Sequence, residues 1–262
     1  MSCLVRQAKI LVEEGVENNL DDEALTKSWR RWDTCSLCEQ HYHGVVMCAL
    51  GWACWKTYLG RPEGNWARAT AMNILGNGLS EAQRHDEALS VQEAELAIKL
   101  RLGSSEHSIL VAQCNLATTY SSMGRFEDAL RASRYVYSGR VKFHGEEHRS
   151  TIIAASNYAS SLNRLEHFEE VKLVLHKTMP VARRVLGECD RLTLKMRWTY
   201  AMALYMDTGA TLDALREAVA TLESVAKSWK RVFGQADPET PSLLYTLAAA
   251  HKVLAARAAA SP

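Results

Sequence analysis

Four residues that could bind a transition metal lie close together near the start of the chain. Cys35 and Cys38 form a Cys-x2-Cys turn, and His41 and His43 follow directly. The two thiolates of such a turn converge on one side of a tight loop and can hold Zn²⁺, but a tetrahedral site needs four ligands. The short spacing to the histidines would make an unusually small chelate. We therefore favour a reduced pair that closes a turn, and the alternative is that Cys35 and Cys38 bind zinc as part of an incomplete site.

Other patterns that indicate catalysis are missing from the sequence. It contains no Gly-x4-Gly-Lys-Ser/Thr loop, no Gly-x-Gly-x-x-Gly, no His-Glu-x-x-His and no Gly-x-Ser-x-Gly, and its nine histidines are scattered. We expect a protein that is not an enzyme and has no cofactor apart from the zinc considered above.

Composition limits the partners that this chain is expected to have. The 262 residues include 31 basic and 30 acidic residues, a net charge of +1, which gives no electrostatic signature for nucleic acid or an anionic membrane. The longest apolar run, Gly44 to Trp55, is shorter than the roughly 20 residues of a membrane-spanning helix. The first ten residues do not look like a secretory signal. Seven irregularly spaced cysteines fit a reduced compartment, so we predict a cytoplasmic protein.

The elements that position these residues repeat along the chain. Gly103, Gly145 and Gly187 are spaced 42 residues apart, and Gly234 follows 47 residues later. A period of this length is typical of a solenoid, in which each unit buries a face against the next. We predict an N-terminal segment, 1–59, that carries the Cys-x2-Cys turn. Repeat units then follow over 60–262, near 60–103, 104–145, 146–187 and 188–234, with a capping helix over 237–257.

Each unit is predicted to contain two helices. From Leu110 to Met123 apolar residues recur at three- and four-residue steps, and Gly124 ends that helix. No stretch alternates apolar and polar residues as a strand would. The predicted fold class is all-α: a right-handed α-solenoid of stacked antiparallel helix pairs with a helical N-terminal cap. We expect the cap to pack on the first repeat through tryptophans at positions Trp29, Trp32, Trp52, Trp55 and Trp66.

Three positions are expected to disturb or start a helix. Gly76 and Gly78 lie within one helix and should loosen it. Pro180 lies inside a helix predicted from about His167 to Val185 and should kink or break it. Asp237, followed by proline, should cap the start of the last helix.

The repeat resembles a known family. The small residue, aromatic, glycine and alanine at Ala117, Tyr120, Gly124 and Ala129 match the spacing of the tetratricopeptide repeat. The 42-residue period looks more like the kinesin light chain variety than the common 34-residue form. The resemblance covers about three quarters of the chain. It implies the fold, but not a particular function, because this scaffold serves many unrelated partners.

The N-terminal segment resembles the C-terminal part of a RING-variant (RING-CH-like) zinc finger. Cys3 followed by leucine, and then Trp32 before Cys35 and Cys38, carry this resemblance. It implies that Cys35 and Cys38 are the last two ligands of a finger whose upstream cysteines this sequence does not contain. The function that it implies is the substrate-binding part of a zinc-finger ubiquitin ligase, with the finger incomplete in this chain.

The first helix of each unit is expected to line a concave groove that suits an extended peptide. Asn115, nine residues before Gly124, occupies the position at which tetratricopeptide domains commonly carry a peptide-binding asparagine. The predicted groove residues are Asn73, Asn115, Thr118, Ser122, Asn157, Ser160, Arg164 and Lys195. Arg164 and Lys195 would favour an acidic peptide. The alternative is that these polar residues simply form the solvated inner face of the solenoid.

The sequence therefore favours an interaction scaffold that binds a peptide segment of a partner protein. We expect a protein or peptide partner, no nucleic acid and no membrane. The ubiquitin-ligase interpretation is the alternative. The sequence does not indicate the oligomeric state.

Overall fold

The computed structural model of this chain describes residues 2–259, apart from the side chains of Ser2, Asp22 and Glu23. Across those residues the chain is helical, with no β-strand, so the predicted all-α class is confirmed. It divides into two compact units: unit 1 extends to Arg125 and unit 2 begins at Phe126. The boundary predicted after residue 59 stays a prediction. No helix in the described part is both long and apolar enough to cross a membrane.

Unit 1 contains six α-helices and one short 3₁₀-helix among its described residues. In chain order they are α1 (Ser2–Glu17), α2 (Asp22–Trp29), the 3₁₀-helix (Arg30–Trp32), α3 (Gly44–Tyr58), α4 (Trp66–Glu81), α5 (His85–Arg101) and α6 (Glu106–Ser122). Consecutive helices from α3 onward pack against each other. The segment between the 3₁₀-helix and α3 is a hairpin, residues 33–43, in which Thr34 and His41 form an isolated antiparallel bridge.

The N-terminal helices cover the first repeat with an aromatic core, as predicted. Trp29 and Trp32 are buried, and they share a cluster with Ala8 and Val12 of α1 and with apolar residues of α3 and α4. The ring centroids of Trp29 and Tyr58 lie 5.0 Å apart. Apolar and aromatic burial of this kind is the main favourable term in holding a helical cap onto a repeat. Two of the five tryptophans, at positions 52 and 66, remain partly exposed.

Two glycines let α3 and α4 approach so closely that their backbones touch. A Cβ atom added at Gly51 would lie 3.0 Å from the carbonyl oxygen of Ile74. A Cβ atom at Gly78 would lie 2.7 Å from the carbonyl oxygen of Met47. Any larger residue at Gly78 would force the two backbones apart, since real Cβ atoms do not make contacts this short. The backbone of Gly78 has an ordinary helical conformation. Glycine is therefore needed here because it has no side chain, and not because of its conformational freedom.

Gly76 and Gly78 do not interrupt their helix, and the loosening predicted there stays a prediction. The helix α4 runs through both glycines without interruption, and both are buried. A Cβ atom at Gly76 would lie 2.9 Å from Cγ of Gln92, so this glycine makes room for a side chain of α5. Tertiary packing here outweighs the weak helix propensity of glycine, which costs about 0.5–1 kcal/mol relative to alanine.

Unit 2 contains six helices among its described residues, and each packs on the next. They are α7 (Phe126–His144), α8 (Arg149–Arg164), α9 (Phe168–Leu186), α10 (Arg191–Met206), α11 (Leu212–Phe233) and α12 (Thr240–Ala259). The alternate helices α8 and α10 also touch, as do α10 and α12. This is the arrangement expected when helix pairs stack in sequence. The buried apolar residues of α8 to α12 form the core of the unit.

Of the kink or break predicted at Pro180, the break is wrong and the kink stays a prediction. The helix α9 continues through Pro180 to Leu186, and the proline lies on its exposed side. Val171, Leu175 and Ala182 hold the opposite face of α9 in the core of unit 2. Helices α8 and α10 both pack on α9, so burial on both sides of the proline preserves the helix despite one missing backbone hydrogen bond.

The glycines that define the repeat all follow the C-termini of helices. Gly103, Gly145, Gly187 and Gly234 have φ angles of +62°, +80°, +96° and +84°, in the left-handed region. Because glycine has no Cβ atom, it adopts this conformation without strain and ends the helix. The 42-residue spacing in the sequence is therefore a spacing of helix ends.

A polar network fixes the start of α12. The carboxylate of Asp237 accepts hydrogen bonds from Arg191 Nη2 (2.5 Å), from the indole Nε1 of Trp229 (3.2 Å) and from the backbone N–H of Glu239 (3.0 Å). The guanidinium of Arg191 also lies over the ring of Phe233, 4.2 Å from its centroid. The prediction that α12 starts at Asp237 is corrected: it begins at Thr240, because the Asp237 side chain is held by α10 and α11.

We expect the change Gly78→Ala to destabilise unit 1. The new methyl group would meet the backbone of α3, and overpacking of this kind costs about 1–3 kcal/mol, more than the helix propensity that alanine gains. Gly60→Ala is the matched control, because Gly60 has no atom within 4 Å of an added Cβ and no positive φ. Thermal unfolding followed by tryptophan fluorescence measures both variants. Equal melting temperatures would contradict the close α3–α4 contact.

The Asp237 network should make unit 2 sensitive to acid. The hydrogen bond from Arg191 lowers the pKa of Asp237 to about 2, against about 3.9 in an unfolded chain. A carboxyl group with a lowered folded-state pKa stabilises the protein above the unfolded value, and this contribution is lost as pH falls from about 4 towards 2. We expect Asp237→Asn to melt at a lower temperature than wild type at neutral pH and to lose less stability over that range. Asp213→Asn, at an exposed position, should follow wild type; a matching slope for Asp237→Asn would contradict the network.

Candidate functional site

A polar cavity of about 360 Å³ opens on unit 1. Its walls come from the hairpin 33–43, the start of α3, the last turns of α4, and the middle of α5 and α6. The residues that line it are Asp33, His41, Tyr42, His43, Met47, Asn77, Ser80, Glu81, Gln92, Asn115, Thr118 and Thr119. We call it the unit 1 cavity. Its volume is within the range of small-ligand sites, about 300–1,000 Å³.

Three residues that line the unit 1 cavity each carry one polar atom that is shielded from solvent and has no hydrogen-bond partner. These atoms are Oε1 of Gln92, Nδ2 of Asn115 and Oγ1 of Thr119. Gln92 is 1% exposed and Thr119 is 0% exposed. A buried polar atom without a partner costs about 1–3 kcal/mol, so most proteins avoid it except where a ligand or water supplies the bond. The three atoms together offer a donor, an acceptor and a hydroxyl group that can act as either.

The hairpin 33–43 forms the rim of the cavity. Its two arms are joined by backbone hydrogen bonds from Cys35 N–H to Gln40 O (2.9 Å) and from Tyr42 N–H to Asp33 O (2.8 Å). Glu39, at the tip, adopts a positive φ of 55°. The hairpin therefore has a defined backbone, and it carries Asp33 and Tyr42 to the mouth of the cavity.

The Cys-x2-Cys turn lies at the tip of this hairpin. Hydrogen bonds from the backbone N–H groups of Cys38 and Leu37 lower the pKa of the Cys35 thiol. Within residues 2–259, no three histidine, cysteine or acidic side chains are grouped so that they could hold a metal. The two thiols therefore do not fit a complete zinc site, and we derive no function from zinc. The incomplete site at Cys35 and Cys38 stays a prediction from the sequence.

The histidines after the turn face carboxylates. His41 Nδ1 lies 3.9 Å from the Asp33 carboxylate, and His43 Nδ1 lies 3.5 Å from the Glu81 carboxylate. Neither histidine is grouped with the two cysteines in a way that could hold a metal ion. Both line the unit 1 cavity, so the structure places the histidines of the metal-like motif at the mouth of the polar cavity.

The four groove residues predicted in unit 1 divide between different environments. Asn115 and Thr118 line the unit 1 cavity. Asn73 does not, because its amide hydrogen-bonds the carboxylate of Glu95 and its oxygen accepts from Asn77. Ser122 is exposed and donates to the carbonyl oxygen of Thr118.

In unit 2, two predicted residues line a second cavity, also of about 360 Å³. Ser160 and Arg164 of α8 face Thr199 and two methionines of α10 there. We call it the unit 2 cavity. Asn163 also lines it, is 8% exposed and has an Oδ1 atom without a partner.

The other two groove residues predicted in unit 2 lie outside this cavity. Asn157 is exposed on α8 and does not line it. Lys195 forms an ion pair with Glu239, with Nζ and Oε1 2.6 Å apart. The positive charge of Lys195 is therefore largely compensated. That leaves Arg164 as the predicted groove residue whose charge could attract an acidic peptide in unit 2.

The sequence prediction missed Gln92, Thr119 and Asn163. One signal could have found Gln92. The buried positions of α5 include Gln92, Glu95 and Lys99. Buried positions with the same spacing on α9 are Leu175, a threonine and an alanine, so α5 is unusually polar on its buried side. A polar residue on the buried stripe of a helix indicates either a partner or a site. Thr119 and Asn163 carry no such signal, because Thr, Ser and Asn recur all along α6 and α8.

Comparison with known proteins supports the repeat fold. Residues 67–140 match the tetratricopeptide repeat family. No curated protein matches this chain.

Several solved structures are similar to this fold. One is a Podosopora anserina protein described as a kinesin light chain with nearly identical TPR-like repeats, at 20% identity and a TM-score of 0.57, covering 87% of this chain and 95% of that one. BtubC (BKLC) from P. vanneervenii has 16% identity and a TM-score of 0.59, over 79% and 80% of the two chains. A Rap protein complexed with competence and sporulation factor has 13% identity and a TM-score of 0.55, over 96% of this chain and 65% of that one. At these identities the comparisons show the fold alone.

We expect Thr119→Val to stabilise unit 1. Valine has nearly the same shape as threonine and removes a buried hydroxyl group that has no partner, which should raise the free energy of unfolding by about 1 kcal/mol. Thr118→Val is the matched control: Thr118 is exposed and its hydroxyl group already donates to Cys114 O. Urea unfolding compares the two. A loss of stability in Thr119→Val would show that the hydroxyl group is satisfied within the protein.

Proposed function

We propose that this chain is an interaction module that binds a peptide segment of a partner protein, with the unit 1 cavity as the main contact. The observation that carries this proposal is the group of three polar atoms without partners at Gln92, Asn115 and Thr119. A folded protein that keeps such atoms around one cavity gives up stability there, and a ligand that satisfies them recovers it.

The chemistry of these atoms suits a peptide bond. A backbone amide has one N–H donor and one carbonyl acceptor. Nδ2 of Asn115 and Oε1 of Gln92 are both buried, so a rotation of each side chain towards the cavity is part of binding. The Nδ2 atom of Asn115 then donates to the carbonyl oxygen, and Oε1 of Gln92 accepts from the N–H group. Each such bond contributes about 0.5–1.5 kcal/mol net, so recognition depends on several contacts along an extended segment.

The position of the cavity supports the same function. It opens beside α4 and α6, the first helices of two successive predicted repeats, which are the helices that should line a peptide groove. The unit 2 cavity lies beside α8 and α10, the corresponding helices of the next two. Ser160, Arg164 and the buried Asn163 would supply polar contacts there, and the adaptable side chains of Met202 and Met206 suit a peptide surface.

One of the similar folds holds a ligand of its own, since the Rap protein was solved in complex with competence and sporulation factor. The alternative function, the substrate-binding part of a RING-variant ubiquitin ligase, rests on the sequence resemblance around Cys35 and Cys38. No feature of the described residues favours it over peptide binding. A scaffold that binds a partner needs no catalytic group, which agrees with the expectation of a protein that is not an enzyme.

Removing the Asn115 amide should weaken peptide binding without unfolding the protein. A displayed library of random twelve-residue peptides is first selected against the wild-type chain, and the enriched peptides are then measured by fluorescence anisotropy. We expect Asn115→Ala to bind about two- to tenfold more weakly, the loss of one hydrogen bond. Circular dichroism and the melting temperature confirm that the variant is folded.

The matched control is Asn157→Ala. Both asparagines are equivalent by sequence, but Asn157 is exposed and lines neither cavity. The Asn157→Ala variant should therefore bind the enriched peptides as tightly as wild type does. If no peptide is enriched, or if Asn115→Ala binds as tightly as wild type, the unit 1 cavity is not a peptide site.

A further inference from the structure

The rim of the unit 1 cavity is negatively charged. Two carboxylates, Asp33 on the hairpin and Glu81 at the end of α4, line its mouth. The Thr34 hydroxyl donates to the Asp33 carboxylate at 2.7 Å. The imidazoles of His41 and His43 lie 3.9 Å from Asp33 and 3.5 Å from Glu81.

No cation of the protein neutralises this rim from the cavity wall. Among the described residues that line the cavity, none is a lysine or an arginine. Arg84, just after α4, is held by Glu87 through two hydrogen bonds of 2.7 Å and 2.5 Å. Burial raises the pKa of Tyr42, and the nearby Cys35 adds to this, so the phenol stays neutral. The guanidinium of Arg31 also acts on Tyr42 from outside the cavity lining and opposes the rise of its pKa. The two carboxylates of Asp33 and Glu81 outnumber this one cation at the mouth.

The wall below the rim combines an apolar side with a polar floor. Met47 is buried and Tyr42 is half-buried, and together they provide the apolar side. Gln92, which is 1% exposed, contributes the Oε1 acceptor that has no partner. Lysine and arginine side chains complement such a wall. Each has an aliphatic stem that suits the apolar side and a cationic head that only donates hydrogen bonds.

From these observations we propose that the unit 1 cavity selects peptides that carry a lysine or arginine. This inference rests on the proposed function and specifies its partner. The basic side chain enters between the hairpin 33–43 and α4, its stem lies along Tyr42 and Met47, and its cationic head is bound by Glu81 and Asp33. The amide group of Asn115 holds the adjoining peptide backbone. The partner is therefore a protein with an exposed, extended basic segment.

Peptide pools with one fixed central residue test this preference. The pools share a randomised flanking sequence and differ in the central residue: lysine, arginine, norleucine or glutamate. Norleucine has a lysine-like stem without the charge. We expect the full chain to bind the lysine and arginine pools more tightly than the norleucine pool, and the glutamate pool most weakly. The difference should shrink as salt is raised, because the rim is partly exposed.

The variant Glu81→Gln keeps the shape of the rim and removes one charge. It should bind the lysine and arginine pools roughly two- to fivefold more weakly and leave the norleucine pool unchanged, a size typical of a partly exposed ion pair. Asp33→Asn should act in the same direction. Glu17→Gln, an exposed acidic residue of α1 outside the cavity, is the matched control and should change nothing.

The outcomes separate this inference from the proposed function. If all four pools bind equally well, or if Glu81→Gln and Asp33→Asn keep the full preference, basic selection at this rim is wrong. Peptide binding that depends on Asn115 would then still stand. If no pool binds the wild-type chain at all, both proposals fail. A basic preference that both rim variants reduce, and the Glu17 variant does not, supports the inference.

Discussion

The direct backbone contact between α3 and α4 is the constraint on which unit 1 depends. Gly51 and Gly78 remove the side chains that would otherwise separate the two helices. Because α3 follows directly from the hairpin 33–43, the position of α3 on α4 also fixes where the hairpin lies. The cavity exists between these parts, and its dimensions are set by a contact that involves no functional side chain. Helices that touch only through side chains have axes about 8–10 Å apart, and the hairpin beside them could then adopt a wider range of positions.

Unit 2 achieves a comparable constraint with polar groups. The carboxylate of Asp237 joins Arg191 of α10, Trp229 of α11 and the segment that leads into α12. Two helices and the segment before α12 therefore meet at one side chain that is 8% exposed. The arrangement is directional, since each donor must point at a carboxylate oxygen, whereas the apolar core around Leu222 and Val225 is not. Packing provides most of the stability of this unit, and the network specifies how its last helices are joined.

The sequence predicted local features of this structure better than features that depend on packing between helices. The spacing of Gly103, Gly145 and Gly187 predicted helix ends correctly, because a positive φ is a property of one residue and its neighbours. The break at Pro180 was predicted wrongly, because packing on both sides of α9 outweighs a local preference. The same limit applies to the candidate site.

For the site, periodicity gave Asn115 and Asn157 equivalent roles, whereas the structure places Asn115 at the unit 1 cavity and Asn157 outside both cavities. The convergence of Gln92, Asn115 and Thr119 needs two helices, α5 and α6, at a particular distance and rotation. No pattern in a single helix contains that information. The hairpin 33–43 was interpreted from its metal-binding residue types, whereas its place in the structure is at the mouth of a polar cavity.

The glycine after each second helix also bears on how such a chain can change in length. A segment that runs from one of these glycines to the next, such as 104–145, begins after one helix end and carries its own helix end at Gly145. If a duplication in the gene copied that segment, the copy would bring its own stop signal and would not fuse two helices into one. A deletion of the same length would likewise leave the remaining helices correctly ended. The 42-residue period thus makes whole repeats a natural unit of insertion and loss. The 47-residue spacing before Gly234 is accommodated in part by a longer helix, since α11 has 22 residues where α9 has 19.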